Sequence, residues 1–503
     1  MSTRWDCVVI GSGVGGLAAA LTAANAGRSV LVLEAARDLG GMLNPFSRKG
    51  YHFDVGVHYL GQAGPDQAMR RLLDRMGLES IRFREIDPDC IDRYIFDGYD
   101  GKLIKGMDRW TESLVRDFPA EASAIRGFSE LMVAADSVRK TAMRGRPTAR
   151  DALTMARFPI ALPRLLNENF TATLNRWFRD PHLKAVYAGP GGDIGLPPGR
   201  ASAFVSIMVL MHYLTGAYYP EGGSGAMRDA FVTAIEGKGG KLLTQQLVNR
   251  IQRTPDGFTV VTDGGSYDAK TVVSNSDAVE TLAMLDGADP DARTKALARR
   301  VRPSLSSMCV FVGTDLDVSA AGITDSNIWH YGTNDIDAGY APLFEGKMPE
   351  KPAYFLTAPT LKDPNSGRAP AGHHTIELIS FVPSAPFKPW WDKPVMRRGA
   401  DYQAMKREFA DKLLIDAERY VPGLRASAKV VEVATPATVW HYVRGRDGGI
   451  YGPEHSVDQV GPRRFRTEIG VPGLYLCGAS VIGAGVHPCL ISGVAAGRKV
   501  IGA

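Results

Sequence analysis

Apolar positions fall into short continuous runs and longer periodic stretches, and their order predicts the elements of the chain. The run Cys7-Val8-Val9-Ile10 meets a glycine turn, Gly11-Ser12-Gly13-Val14-Gly15-Gly16. An alanine-rich stretch follows, then a second apolar run over 29–33 that stops at Glu34. Short apolar runs bounded by turn residues read as buried strands, and the alanine-rich stretch as the helix between them. Further strands are expected at 241–251, 271–273 and 473–477, with a hairpin through 254–264. Helices are expected over 226–236 and, rich in small residues, over 489–501, after a glycine-rich loop at 479–488. Strand-like runs at 307–312, 353–357 and 375–381 predict a second sheet. Apolar residues at helical spacing over 401–420, closed by Pro422-Gly423, predict a covering helix.

The order strand, glycine turn, helix, strand, acid is the dinucleotide-binding βαβ unit. Gly11 permits the tight turn, Gly13 lets the backbone approach a pyrophosphate, and Gly16 lets the helix pack close to the sheet. The start of the helix offers unpaired N–H groups and a positive dipole end to phosphate. Glu34 stands 23 positions after Gly11, near the distance at which a carboxylate takes a ribose hydroxyl. A second glycine pair, Gly40-Gly41, and then Gly50-Tyr51-His52-Phe53-Asp54-Val55-Gly56 extend the pattern past the second strand. A plain NAD fold has no need of them, whereas FAD is longer and draws the chain along its pyrophosphate and ribityl. FAD is the expected cofactor.

The fold class is α/β: a Rossmann-type FAD-binding domain with a discontinuous α+β substrate domain. The first is assembled from 1–65, 218–300 and 431–503, the second from 66–217 and 301–430. A chain of 503 residues, 45% hydrophobic and 22% charged, has the composition of a globular enzyme. A net charge of +5 with no aromatic-interleaved basic platform argues against a nucleic-acid partner. The cysteines, Cys7, Cys90, Cys309, Cys477 and Cys489, contain no CxxC pair, so neither a zinc site nor a disulfide framework is expected, and no metal is assigned. The first residues show no apolar signal region, and a cytoplasmic location is expected.

Two segments bear on membranes. The run 201–220 carries no charge. Ser202, Ser206, His212 and Gly216 interrupt it, so it reads as a buried helix lining an apolar cavity rather than a span. The stretch 139–166 mixes Arg139, Lys140, Arg144, Arg146, Arg150, Arg157 and Arg164 with Leu153, Met155, Phe158, Ile160, Leu162, Leu165 and Leu166, against the single acid Asp151. That composition suits either a surface dipping into anionic lipid on the inner face of the membrane or a solvated basic face.

Several motifs resemble a known group. Phe53-Asp54-Val55-Gly56-Val57-His58-Tyr59-Leu60-Gly61, Tyr219-Pro220-Glu221-Gly222-Gly223, Lys362-Asp363-Pro364 and Gly448-Gly449-Ile450-Tyr451-Gly452-Pro453-Glu454-His455-Ser456 are similar to stretches of retinol saturases and plant-type carotenoid isomerases. Val486-His487-Pro488 is closer to bacterial phytoene desaturases, and all of these lie in the amine oxidase-like flavoprotein superfamily. Met42 departs from the basic residue many relatives carry. The long amino-terminal extension of plant and animal members is absent, which implies a bacterial relative acting on its own lipid. The combined motifs imply cofactor contacts from Gly11, Gly13, Val14, Gly15, Gly16, Glu34, Ala35, Gly40, Gly41, Met42, Val55, Gly56, His58, Val248, Gly478, Ala479, Val486 and His487.

The resemblance implies chemistry on a carbon–carbon double bond of a long apolar isoprenoid or polyene. Flavin N5 carries the hydride, so the protein must exclude water, hold the carbon and place a proton source. His58, Tyr59 and Tyr451 are the catalytic candidates, with Glu454 and His487 nearby in the motifs. Each has a structural alternative: the histidines bond backbone carbonyls, and the tyrosines are core aromatics with satisfied hydroxyls. Reduction or isomerisation is the leading reading and desaturation the alternative, because the electron partner, which the residues do not identify, sets the direction. An amine oxidase is a weaker reading, since neither a flavin-flanking aromatic pair nor a water-binding lysine is evident. A non-catalytic prenyl-lipid carrier of the Rab escort kind needs no complete FAD cradle.

Overall fold

A computed structural model describes residues 4–502. Trp5–Ile10 (β1) lies parallel between Val30–Leu33 (β2) and Gly265–Ser274, with Val9 opposite Val32 on one side and Val273 on the other. Lys241–Leu243 extends the sheet beyond β2, and Leu474–Leu476 pairs parallel with Gly265–Ser274. Gly257–Thr262 and Val248–Thr254 continue it as an antiparallel meander. β1 and β2 are covered on both faces, which is why they are apolar without alternation.

Val14–Asn25 (α1) crosses from β1 to β2 and packs against the last helix, Val486–Ile501. Small residues make that approach possible. A Cβ on Gly493 would stand 2.1 Å from the Gly15 carbonyl oxygen, and one on Gly497 would stand 2.8 Å from that of Ala19. The last helix starts at Val486, ahead of the expected 489, with Pro488 in its first turn, where the missing N–H costs nothing.

The second sheet runs Ala428–Ala434, Ser306–Thr314, His374–Val382, Tyr354–Thr357, Asn327–His330, Asp92–Phe96 and Tyr99–Leu103. Met308, Val310 and Val312 face the helix Ala400–Ala417 through Tyr402, Phe409 and Leu413. Cys309 and Phe311 face Tyr51 and Phe53. A helical cap, including Ala122–Arg144, Pro181–Ala188 and Ala203–Tyr213, closes a third core rich in aromatics.

Three details differ from expectation. Ala428–Ala434 pairs with Ser306–Thr314, so the strand straddles the expected boundary at 430/431. It is pulled into the second sheet by the open edge of a fully buried strand. Ala217–Pro220 is itself a strand, paired with Leu60–Gly61 and Phe83–Glu85, and the expected boundary at 217/218 cuts it. The charge-free run 201–220 supplies a helix of 11 residues before the chain turns into that strand. Among the described residues no helix is long and apolar enough to cross a membrane.

Candidate active site

The glycines of the first turn close on one side chain. Gly11 has φ +88° and Gly478 φ +77°, conformations that favour glycine. A Cβ on Gly13 would meet Asn275 Nδ2 at 2.8 Å, and Cβ atoms on Gly15 and Gly478 would each meet Asn275 Oδ1 at 2.5 Å. A Cβ on Gly16 would strike the Gly11 carbonyl oxygen at 2.0 Å. Gly40-Gly41 passes beside this turn: the Gly40 N–H donates to Ser12 Oγ at 2.8 Å, and a Gly41 Cβ would come within 3.4 Å of Gly13 Cα. Gly56 lies against Met42, whose Cβ would be 2.9 Å from a Cβ there. No side chain caps the start of α1, which leaves its first N–H groups to a ligand. Val14 is half-buried in that first turn, Ala35 follows Glu34 half-buried, and Val55 is half-buried beside exposed Gly56. A cradle that any Cβ would fill, next to an uncapped helix start, fits a dinucleotide cofactor.

Glu34 is tied more tightly than its spacing implies. Its Oε2 accepts from the Ser12 N–H at 2.8 Å and Oγ at 2.6 Å, and its Oε1 accepts from the Ala36 N–H at 2.8 Å. The acid therefore locks the glycine turn, with acceptor capacity left on Oε1. Val248 is buried in the core beneath, with Val8 and Leu33. At the far end, Ala479 accepts from Arg464 Nη2 at 2.7 Å. Val486 and His487 are buried in the first turn of the last helix.

From the segment after Phe53, a buried polar chain runs into the second domain. Asp54 accepts from the Ser224 N–H at 3.1 Å and Oγ at 2.7 Å and from the Tyr219 hydroxyl, and lies 2.9 Å from Arg368 Nη2. His58 Nδ1 is 2.9 Å from Glu377 Oε2. Lys362 Nζ donates to the His58 carbonyl at 2.7 Å and to Asn327 Oδ1 at 2.5 Å. Asn327 Nδ2 donates to Asp92 Oδ1 at 2.9 Å. Tyr59 Oη then stands 3.2 Å from both Asp92 Oδ2 and Asp193 Oδ2. Burial draws Lys362 down to about 8 against the pull of Asp92. Burial lifts Asp92 to about 6 in spite of Asn327 and Lys362. Asp193 is held well above the carboxylate range by burial and then by the charge of Asp92.

Asp193, His212 and Tyr451 keep partial accessible surface, unlike the fully buried Asp92 and Asn327 beside them. Phe204, Met208, Val209, Ile379 and Ile450 are likewise half-buried against the aromatic core. Tyr59 stacks on Tyr213 at 4.4 Å, and the neighbouring His212 stacks on His487 at 6.0 Å. Burial holds His212 near 3 and His487 near 4, so both are neutral at neutral pH.

The sequence candidates separate accordingly. The Tyr59 hydroxyl meets Asp193, and the Tyr451 hydroxyl donates to the neighbouring Gly192 carbonyl at 3.2 Å. His58 is turned to Glu377 and sits against Phe355. Glu454 is taken up by Arg200 at 3.1 Å and Arg302 at 2.7 Å, which makes it a structural acid. Asn275, Asp92, Asp193 and Asn327 were not singled out from the sequence. Asp193 is a lone acid in a glycine-rich turn and the others sit in ordinary polar stretches at strand ends, and only the Lys-Asp-Pro motif drew attention to Lys362.

Comparison with known proteins agrees with this geometry. An oxidoreductase from Methanosarcina mazei superposes with a TM-score of 0.65 at 18% identity, over 97% of this chain and 99% of that one, which shows the fold. The chain is 27% identical to all-trans-retinol 13,14-reductase of Danio rerio, over 99% of this chain and 86% of the relative. It is 26% identical to prolycopene isomerase 1, chloroplastic, of an Oncidium hybrid cultivar, over 99% and 84%. It is 27% identical to phytoene dehydrogenase of Streptomyces griseus, over 98% and 95%. The model of the flavin containing amine oxidoreductases matches residues 14–501. With a match that runs from the dinucleotide cradle to the last helix, this protein belongs to the flavin containing amine oxidoreductase family.

Proposed function

We propose that the chain binds FAD and reduces, or isomerises through transient redox, a carbon–carbon double bond of a long apolar isoprenoid or polyene. The observation that carries this reading is a group of partly accessible apolar side chains packed on the aromatic core beside Tyr59. These side chains, Phe204, Met208, Val209, Ile379 and Ile450, suit a methyl-branched hydrocarbon chain, and the all-trans-retinol 13,14-reductase and prolycopene isomerase relatives are named for polyenes of that kind. Bound FAD supplies hydride chemistry at its ring. The cradle of Gly11, Gly13, Gly15, Gly16, Gly40, Gly41 and Gly478 would hold its pyrophosphate and ribose, with Glu34 beside them. Tyr213, Tyr59 and Phe355 stack on one another and fix the Tyr59 hydroxyl in place, and the aromatic core around them keeps water from the reacting carbon.

A lipid surface is the proposed source of substrate. Met143, Leu153, Ile160 and Leu166 are 53%, 72%, 65% and 38% exposed, beside exposed Arg146, Arg150 and Arg164. Arg139, at the start of this surface, is close enough to bias both His212 and His487, so the basic apolar face adjoins this histidine pair. Apolar side chains ringed by arginine suit insertion among anionic headgroups.

The deciding experiment mixes anaerobically reduced holoenzyme with candidate polyenes and weighs the product. A gain of two hydrogens identifies a saturase, and an unchanged mass with a new retention time identifies an isomerase. Loss of two hydrogens by substrate mixed with oxidised enzyme reverses the direction to that of the phytoene dehydrogenase relative. Absence of flavin in the purified protein, or turnover of amines alone, refutes the proposal.

A further inference from the structure

The contacts of Tyr59 do not balance if both neighbouring acids are ionised. Its Oη is 3.2 Å from Asp92 Oδ2 and 3.2 Å from Asp193 Oδ2, yet a phenol has one proton to donate. The second contact is favourable only where that carboxyl brings its own proton and donates to the phenol oxygen. Two adjacent buried carboxylates repel strongly, and the pair settles with one proton between them.

The surroundings decide which acid keeps it. Asp92 also accepts from Asn327 Nδ2 at 2.9 Å and from the Tyr94 hydroxyl at 3.3 Å, and it feels the Lys362 ammonium. Around Asp193 stand the hydroxyls of Tyr59 and Tyr213, the charge of Asp92, and the rings of Tyr331, Tyr340 and Tyr451 from other elements. Asp92 is the anion and Asp193 the neutral acid. Asp193 also keeps partial accessible surface, whereas Asp92 is fully buried, so Asp193 is the acid of the pair that a ligand can reach. Through Tyr59, Tyr213 and His212 that position leads to His487, at the cofactor end.

We propose that Asp193 is the proton donor to the substrate double bond, with Tyr59 and Asp92 as its positioning residues. The assignment rests on the polyene reading above. One olefinic carbon receives a hydride from the reduced flavin, and the π pair of the double bond takes the proton at the neighbouring carbon. The Asp193 O–H bond breaks and its electron pair remains on the carboxylate. The flavin is left oxidised, and Asp193 regains a proton from water before the next turnover. An acid kept neutral by burial and a like charge can do this at neutral pH without admitting solvent during the step.

The test uses holoenzyme at equal FAD content. Infrared spectroscopy of the resting enzyme at neutral pH should show a protonated-carboxyl C=O band that Asp193→Asn removes and Tyr59→Phe retains. Reoxidation of the reduced flavin by substrate should slow by about a hundredfold or more in Asp193→Asn, while Asp193→Glu recovers part of the rate and shifts the band. Reoxidation at the wild-type rate in Asp193→Asn, or a band unmoved by Asp193→Asn, overturns the assignment. If Asp193→Asn does not fold, Asp193→Glu decides: an unshifted band with an unchanged rate overturns it. A wild-type enzyme whose reduced flavin no polyene reoxidises overturns the polyene reading and the donor role together, whereas a fast Asp193→Asn enzyme overturns the donor role alone.

Discussion

Replacing Arg368 by methionine removes the cation that faces a fully buried acid. The Arg368 and Asp54 side chains are 5% and 0% exposed, with Nη2 and Oδ2 2.9 Å apart. At a charge separation of about 4 Å and an effective dielectric near 20, the attraction is about 4 kcal/mol. Breaking a buried pair from one side costs about 3–5 kcal/mol, because the remaining charge stays buried. Asp54 keeps its bonds from Ser224 and Tyr219, which places Arg368→Met near the lower end, about 3 kcal/mol. The loss should appear first around Asp54, which joins the cofactor-side segment to the strand Ala217–Pro220 and the helix Gly223–Glu236. Urea unfolding followed by flavin release reads that region, and a chain with several cores requires a local probe. Asp54→Asn with Arg368→Met removes both charges and should recover much of the cost. A penalty for Arg368→Met below about 1 kcal/mol, or single penalties that add to the double within about 0.5 kcal/mol, refutes a coupled buried pair.

FAD should be released intact on denaturation, and Glu34→Ala should lower its retention. Because Ser12 and Ala36 would lose their acceptor, it should also cost about 1–3 kcal/mol of stability, and unchanged occupancy counts against the cradle. Flotation with anionic vesicles should show binding that weakens with salt. Leu153→Ser should reduce it by about 2 kcal/mol, roughly thirtyfold, and equal binding to neutral vesicles removes the lipid-surface proposal. His212 and His487 have folded values near 3 and 4, below the unfolded value of about 6.5. Their contribution is therefore full above pH 6.5 and falls as pH drops toward 4, by about 3 kcal/mol for His487. His212→Gln, which keeps an acceptor for the Gly61 N–H, should lose less stability between pH 7 and 5 than wild type in urea unfolding. An identical loss places the acid sensitivity elsewhere.

What the sequence determined by itself is the part of the molecule whose demands are local. A tight turn, a close backbone approach and an open helix start each require particular residue types at fixed spacing, so Gly11 through Gly16, Gly40-Gly41 and Glu34 could be read before any contact was known. Apolar runs likewise announced the strands Trp5–Ile10 and Val30–Leu33, because burial on both faces leaves no room for alternation. Tertiary structure alone decided the second site. Tyr59, Asp92, Asp193, Asn327 and Lys362 come from five segments spread over some 300 positions, and hydrogen bonding across such distances leaves no periodicity in the chain. It also decided that Ala428–Ala434 belongs to the second sheet, since strand pairing depends on which edge is open. Glu454 and Asp193 are both acids in glycine-rich surroundings. One meets two arginines and the other meets a tyrosine and a second acid, and that difference in neighbours makes one a structural ion and the other a neutral acid.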